Sequence, residues 1–235
     1  MKPVAFTCCV NYSDMLALTW PLNRDLFDAF IVVTSTDDKR TQEYCRDKDI
    51  LCLISDSYKQ DGSPFNRAAM LNRAIEVCAV TYPDEWLVSM DVDVVLDVIP
   101  YNRALIVNTW IAGWCGTETQ TPFKFGGELD EGLIYGCPRK LIKEPCAVTL
   151  ESLRAHPGPW ERYPYNLCAY LGYFQMFYDK WARNDESYKT VNNSDTAFLD
   201  NNFGINKART FTNLVAYHLG ENGVNWNGRV SKEWK

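Results

Sequence analysis

Apolar and polar stretches alternate through the first hundred residues with the periods of strands and helices. Val4 to Val10 is a short apolar run and predicts a strand. Ser13 is placed to cap a helix that begins near Asp14. Phe30 to Thr34 is β-branched, is closed by the polar Ser35-Thr36-Asp37-Asp38, and predicts a second strand. Lys39 to Arg46 is polar and predicts an exposed helix. Ile50 to Ile54, ended by Ser55-Asp56-Ser57, predicts a third strand. Ser63-Pro64 reads as a cap followed by proline at the first helical position. Beyond it Ala68, Leu71, Ile75 and Cys78 fall on one helical face. Trp86 to Met90 predicts a fourth strand, running straight into Asp91-Val92-Asp93.

Strands alternating with helices indicate an α/β fold with an open, mostly parallel sheet flanked by helices. Ligands of such sheets bind beyond the carboxyl ends of the strands. The polar residues there are Asn11, Tyr12 and Asp14 after strand one and Thr34, Ser35 and Asp37 after strand two. Asp56 follows strand three, and Asp91 and Asp93 follow strand four. After Pro100 the pattern loosens, and glycine and aromatic residues become frequent. Pro157-Gly158-Pro159 marks a turn. With no repeat and no Ser/Gly-rich linker, residues 1–235 are expected to form a single domain with a regular first half (1–100) and a loop-rich second half (101–235).

Composition narrows the chemistry. A hydrophobic fraction of 46% and a charged fraction of 23% suit a globular chain of 235 residues. The net charge of −6 gives no global field for nucleic-acid phosphates. Two histidines, His156 and His218, exclude a metal centre built from several imidazoles but leave carboxylate-rich sites open. The nine cysteines include no Cys-x-x-Cys, which argues against a zinc cluster or a redox pair. Several lie within apolar runs, as reduced thiols of a cytoplasmic protein do. The opening Met-Lys-Pro-Val-Ala-Phe-Thr is too polar for a signal peptide, and no apolar run reaches membrane-spanning length.

Asp91 and Asp93 are the sharpest local signal. On a strand they would point to the same side, about 6–7 Å apart. Two carboxylates on one face repel unless a cation lies between them. One reading is a divalent cation site that also holds a diphosphate; the other is a solvated strand end carrying two acids. His218 precedes Leu219-Gly220 in a short strand-like segment. It reads either as a packed core histidine or as the imidazole of a mixed oxygen–nitrogen site suited to Mn²⁺ or Mg²⁺. Arg229 reads as a phosphate partner or as a surface charge. Asp195 heads the apolar Thr196-Ala-Phe-Leu199 and reads as a helix cap or a general base. Asp97 is expected at the surface.

Together these pieces resemble a nucleotide-sugar-dependent glycosyltransferase of the GT-A fold, near the family-2-like inverting enzymes. The resemblance covers nearly the whole chain and rests on the order of motifs. These are the opening strand with Asn11-Tyr12-Ser13-Asp14, the polar end of strand two at Asp37, the helix Asn66-Arg-Ala-Ala-Met-Leu-Asn-Arg-Ala-Ile75 and the Asp-x-Asp. Gly132-Leu-Ile-Tyr-Gly136 with Arg139-Lys140, Gly172-Tyr-Phe-Gln175 and Ser194-Asp195 follow. In the last two, Gln175 stands where the family has an acid and Ser194 where it has a glutamate.

The resemblance implies that residues 1–100 bind the donor and 101–235 carry the acceptor and catalytic side. Asn11, Tyr12 and Asp37 would line a nucleoside pocket, and Arg67 and Asn72 would face the nucleotide. Asp91 would contact the ribose or the metal's water shell, Asp93 would bind the metal, and His218 would complete its ligands. Asp195 would deprotonate the acceptor hydroxyl. The implied activity is transfer of a hexose or pentose from a UDP-sugar to a glycan hydroxyl with inversion, aided by Mn²⁺ or Mg²⁺, in a viral or bacterial setting. Alternatives are transfer to hydroxymethylated DNA bases, prompted by the basic stretch 206–235, and a non-catalytic carbohydrate- or nucleotide-binding module. Three predicted strands ahead of the Asp-x-Asp argue against an aspartyl phosphotransferase. The absence of a Gly-rich basic loop after strand one argues against a nucleotidyltransferase, and of Gly-x-Gly-x-x-Gly against nicotinamide binding.

Overall fold

The computed structural model describes residues 2–98, 107–108, 131–132, 134–161, 173–188, 194–204, 208–211, 214–220, 224–225 and 227–234. Four parallel strands open the chain: β1 (Val4–Cys8), β2 (Ala29–Thr34), β3 (Leu51–Ile54) and β4 (Leu87–Met90). Between them lie α1 (Ser13–Asn23), α2 (Lys39–Asp47) and α3 (Arg67–Thr81). β1 pairs in parallel with both β2 and β4, and β2 pairs with β3. The elements expected over the first ninety residues are therefore present.

Later elements extend this sheet and build a second one. They are β5 (Val94–Val98), β6 (Val107–Asn108), β7 (Ile134–Gly136), β8 (Arg139–Ile142), α4 (Leu150–Ala155), β9 (Trp160–Glu161), β10 (Phe174–Phe177), α5 (Ser194–Asn202), β11 (Ala208–Phe211) and β12 (Leu214–Leu219). The large sheet has the order β3-β2-β1-β4-β10-β7-β11-β6. Its antiparallel strands are β10, between β4 and β7, and β6 at the edge. This is the open, mostly parallel α/β sheet flanked by helices that the sequence leads one to expect. A second sheet, β5-β12-β8-β9, was not legible.

Alternation along the strands places helices on both faces. Val4, Phe6, Ile31 and Val33 pack with Met70, Leu71, Ile75 and Cys78 of α3 and with Phe198 and Leu199 of α5. Ala5, Phe30 and Val32 turn to the other face, toward Met15 and Leu16 of α1, Cys45 of α2 and the second sheet.

Two helix starts differ from expectation. α3 begins at Arg67, not behind Ser63-Pro64, because the Asn66 side chain accepts the Ala69 amide at 3.0 Å and supplies the cap. Ser13 is the first helical residue of α1, and Tyr12 occupies the cap position without a side-chain cap bond. Asp97 differs too. The chain continues past Asp93 as β5, paired antiparallel with β12, which turns Asp97 inward. It is 3% exposed and accepts two Arg154 bonds at 2.7 Å and the Tyr217 hydroxyl at 3.1 Å.

Among the described residues no helix is long and apolar enough to cross a membrane. Seven described cysteines are free thiols. His156 lies apart from the site residues; its Nδ1 accepts the Gly158 amide at 3.0 Å.

Candidate active site

The Asp-x-Asp straddles a turn. Asp91 stands one residue past β4, and its amide donates to Tyr173 O at 3.0 Å, in the residue before β10. The Val94 amide returns to Asp91 O at 3.3 Å and starts β5. The carboxylates thus meet because a tight turn links the two sheets, not through the pleat of one strand. Polar bonds fix this turn. Thr19 Oγ1 of α1 donates to Val92 O at 2.8 Å, and Asn23 Nδ2 donates to Val94 O at 2.7 Å. The Leu219 amide donates to Asp93 O at 2.8 Å, which seats the end of β12 beside the turn.

β12 brings His218 opposite Val94. Ligand atoms of Asp91, Asp93 and His218 then lie within 4.8 Å of one another. His218 Nε2 is 3.5 Å from Asp93 Oδ1. Ligands about 2.1 Å from an octahedral ion stand about 3.0–4.2 Å apart, so a small closure would let the trio share one cation. The buried atoms fit that reading. Asp93 Oδ1 and His218 Nδ1 have no hydrogen-bond partner among the described residues, and a buried polar atom without a partner is costly. Burial pushes the Asp93 carboxyl above its ordinary range; His218 opposes the shift and Asp91 adds to it. Two carboxylates and an imidazole are a donor set for Mn²⁺ or Mg²⁺.

Arg67 and Asp195 lie beside this trio. From the first residue of α3, Arg67 Nη2 donates to Asp91 Oδ1 at 2.6 Å and Nη1 donates to Asp195 Oδ1 at 2.8 Å. The guanidinium is nearly buried, with 7% of its side chain exposed. Asp195 is the second residue of α5. Burial pushes its carboxyl up to about 7, against the pull of Arg67 and with a further push from Asp91. Cys8 lies close enough to feel Arg67, but burial dominates and raises its thiol to about 12. Such a thiol stays protonated near neutral pH and is no nucleophile.

The other expected residues fall at the ends of β1 and β2 and along α3. Asn11 adopts a left-handed φ of 58°, which Asn tolerates, and its amide donates to Asp38 Oδ2 at 2.6 Å. Burial raises the Tyr12 hydroxyl to about 12, and the nearby Asp93 adds to that. Asp37 is exposed and pairs with Lys59 at 3.4 Å. Asn72 is tied to the chain around Asn184: its Nδ2 donates to Asn184 O at 3.0 Å and to Glu186 Oε1 at 2.8 Å, and its Oδ1 accepts the Asn184 amide at 2.8 Å.

Arg229 closes a C-terminal strap over the end of β1. Its guanidinium forks onto both Asp14 oxygens, stacks 4.3 Å from the Tyr12 ring centre and donates to Asn11 O at 2.9 Å. The Trp234 amide reaches Asp14 Oδ2 at 2.9 Å, and Asn225 Nδ2 reaches the Tyr12 hydroxyl at 2.8 Å. Burial alone would raise the Asp14 carboxyl, but the bonds from Arg229 and Trp234 outweigh it and hold it below its ordinary value. Arg229 is thus committed to carboxylate, ring and carbonyls in this structure.

The supporting contacts of two residues, Asp38 and Arg139, were not foreseen from the sequence. Asp38 is buried, caps α2 by accepting the Thr41 amide at 3.1 Å, and accepts the Thr34 hydroxyl at 3.1 Å, which joins the ends of β1 and β2. The Asp-x-x-Thr spacing before α2 was the available signal. Arg139 stacks on the Tyr173 ring at 4.4 Å, and nothing local in the sequence pairs these two.

No known protein family matches the sequence. No curated protein matches it either. Among solved structures the chain is similar in fold to glucosyl-3-phosphoglycerate synthase from Mycobacterium tuberculosis in complex with Mn²⁺, UDP and glucosyl-3-phosphoglycerate. Identity there is 14%, the TM-score 0.42, and 93% of this chain and 70% of that chain are covered. It is similar to the galactosyltransferase LgtC in complex with donor and acceptor sugar analogues, at 12% identity and TM-score 0.40, covering 91% of this chain and 72% of that chain. It is also similar to 4-diphosphocytidyl-2C-methyl-D-erythritol synthase, at 10% identity and TM-score 0.40, covering 98% of this chain and 93% of that chain.

Proposed function

We propose that the protein is a metal-dependent glycosyltransferase that moves a sugar from a nucleoside-diphosphate donor to an acceptor hydroxyl with inversion. The observation that carries this reading is the convergence of Asp91, Asp93 and His218 within 4.8 Å, with the buried Asp93 Oδ1 lacking a hydrogen-bond partner, beside the partly buried Asp195. Residues 1–100 would supply the donor side, with Asn11, Tyr12 and Asp37 near the nucleoside at the ends of β1 and β2. Residues 101–235 would supply the acceptor side.

A divalent cation at this site would stabilise the negative charge that builds on the departing diphosphate. His218 would hold the cation from β12, and Asp91 and Asp93 from the turn between β4 and β5. Asp195 accepts the acceptor's proton at its carboxylate as the hydroxyl oxygen attacks the anomeric carbon. The buried setting of Asp195 keeps its basicity near neutrality, the range in which a general base works best. Tyr12 and Arg229 cover the end of β1. The acceptor would be a hydroxyl of a glycan or similar molecule, and a UDP-sugar is the first donor to test.

The test is calorimetry of UDP binding with and without Mn²⁺, followed by turnover of UDP-glucose and other UDP-sugars. Cation-dependent UDP binding that is abolished by Asp93→Ala, together with sugar release, supports the reading. Binding without turnover toward any acceptor would leave a carbohydrate- or nucleotide-binding module instead. Absence of both would overturn it.

A further inference from the structure

One guanidinium serves two acids with different proposed tasks. Arg67 is buried, and its Nη2 and Nη1 each hold a separate carboxylate, Asp91 at 2.6 Å and Asp195 at 2.8 Å. Asp91 belongs to the candidate cation trio and Asp195 does not. The three residues come from three elements: Arg67 from the start of α3, Asp91 from the end of β4 and Asp195 from the start of α5. The start of α3 is anchored on both sides. The Asn66 amide donates to Tyr58 O at 2.8 Å and Asn66 Nδ2 to Glu186 O at 2.8 Å. The guanidinium is planar and its donors are fixed in a fork, so it cannot move toward one carboxylate without changing its hold on the other.

We propose that Arg67 is a positioning residue, an internal counter-cation that competes with the metal ion for Asp91 and so couples the cation site to Asp195. This rests on the cation site proposed above. With the site empty of metal, Arg67 offsets the charge of Asp91. A divalent ion drawn to Asp91, Asp93 and His218 repels the guanidinium and weakens its hold on Asp91. Arg67 then bears more fully on Asp195 and fixes that carboxylate in one orientation. Binding at one site and placement at the other become linked, and linkage is reciprocal: whatever Asp195 does to Arg67 must alter cation affinity. Neither a purely structural arginine nor one that binds donor phosphate has this property.

Mn²⁺ affinity, measured by calorimetry with no nucleotide present, tests the proposal in four proteins: wild type, Arg67→Gln, Asp195→Asn and the double variant. Circular dichroism and the thermal midpoint confirm folding. Arg67→Gln is expected to tighten Mn²⁺ by about tenfold, because a competing positive charge is removed. Asp195→Asn is expected to weaken Mn²⁺ by about tenfold when Arg67 is present and by less than about threefold when it is not, a coupling within the usual range for residues in one network. If Arg67→Gln does not fold, Arg67→Lys takes its place in the cycle. Lysine keeps the charge on a single arm, so the Asp195 effect should shrink while Mn²⁺ affinity stays near wild type. Weaker or unchanged Mn²⁺ binding in Arg67→Gln, or additive effects in the cycle, would each overturn the coupling and leave the cation site standing. Failure of the wild type to bind Mn²⁺ would remove the site and this proposal together.

Discussion

At the residue scale, Asp195 and Asp93 carry the clearest consequences of burial. As the proposed general base Asp195 would have to be ionised, and its carboxyl sits at about 7. Turnover should therefore rise with pH through about 7 and level off above it. In Asp195→Asn the rate at saturating Mn²⁺ should fall by about 10²–10⁴ and that limb should vanish, while UDP still binds once Mn²⁺ is raised to offset its weaker affinity. Stability runs the other way. The folded carboxyl holds its proton more tightly than the unfolded one, whose ordinary value is 3.8. Its favourable contribution is complete below that value and is lost as pH rises through about 7. The thermal midpoint of metal-free protein should accordingly decline between about pH 4 and 7, and Mn²⁺ should restore it. Asp93→Ala should abolish Mn²⁺ binding without lowering the metal-free midpoint, because a buried carboxylate atom without a partner disappears; a drop would assign Asp93 a structural role. The sequence displayed both acids, since Asp-x-Asp after an apolar run and Asp195 ahead of one are local patterns. It did not display what surrounds them. Asp97 lies on the same run and looked exposed until β12 covered it. The fork of Arg67 joins positions 67, 91 and 195, a relation that no local spacing carries.

At the element scale, the start of α3 matters most, because it aims Arg67. Asn66 caps that helix and also ties it to Glu186 O. Loss of such a cap costs about 1 kcal/mol. For a chain of this size Asn66→Ala should lower the midpoint by about 2–4 °C, and a comparable loss should appear in the temperature dependence of turnover. No change in the midpoint would show that the cap is dispensable. The elements themselves were largely legible, because β1 to β4 are short apolar runs separated by the polar ends and longer helical segments of α1 to α3. Their partners were less so. β10 is inserted antiparallel beside β4, and β5 leaves the first sheet to pair with β12. These pairings join segments far apart in sequence, and the Phe174–Phe177 run gives no sign of which neighbour it will meet. The loosening of pattern after Pro100 was legible, and its outcome, a second sheet that delivers His218, was not.

At the scale of the whole molecule, the C-terminal strap ties the end of the described chain to the loop after β1. Asp14 is held below the ordinary carboxylate range, so the tie to Arg229 contributes fully above that range and is lost only as pH falls through the lowered value. Asp14→Ala should free the strap at neutral pH, and limited trypsin digestion should then cut after Arg229 and Lys232 many times faster than in wild type. Equal cleavage rates would mean that other strap contacts suffice. The strap also accounts for part of the basic stretch that suggested a phosphate-bearing partner, because Arg229 is closed onto Asp14. Its contacts have one more consequence. Arg229 and Trp234 reach Asp14 across 215 and 220 positions of chain. His218 likewise comes late, after every other member of the trio. During synthesis the parallel core of β1 to β4 can assemble early, but the trio and the cover over Tyr12 have no partners until β12 and residues 225–234 emerge. A ribosome-bound chain stopped short of β12 would hold two adjacent acids and no imidazole, so the proposed cation site would be completed only once β12 has emerged.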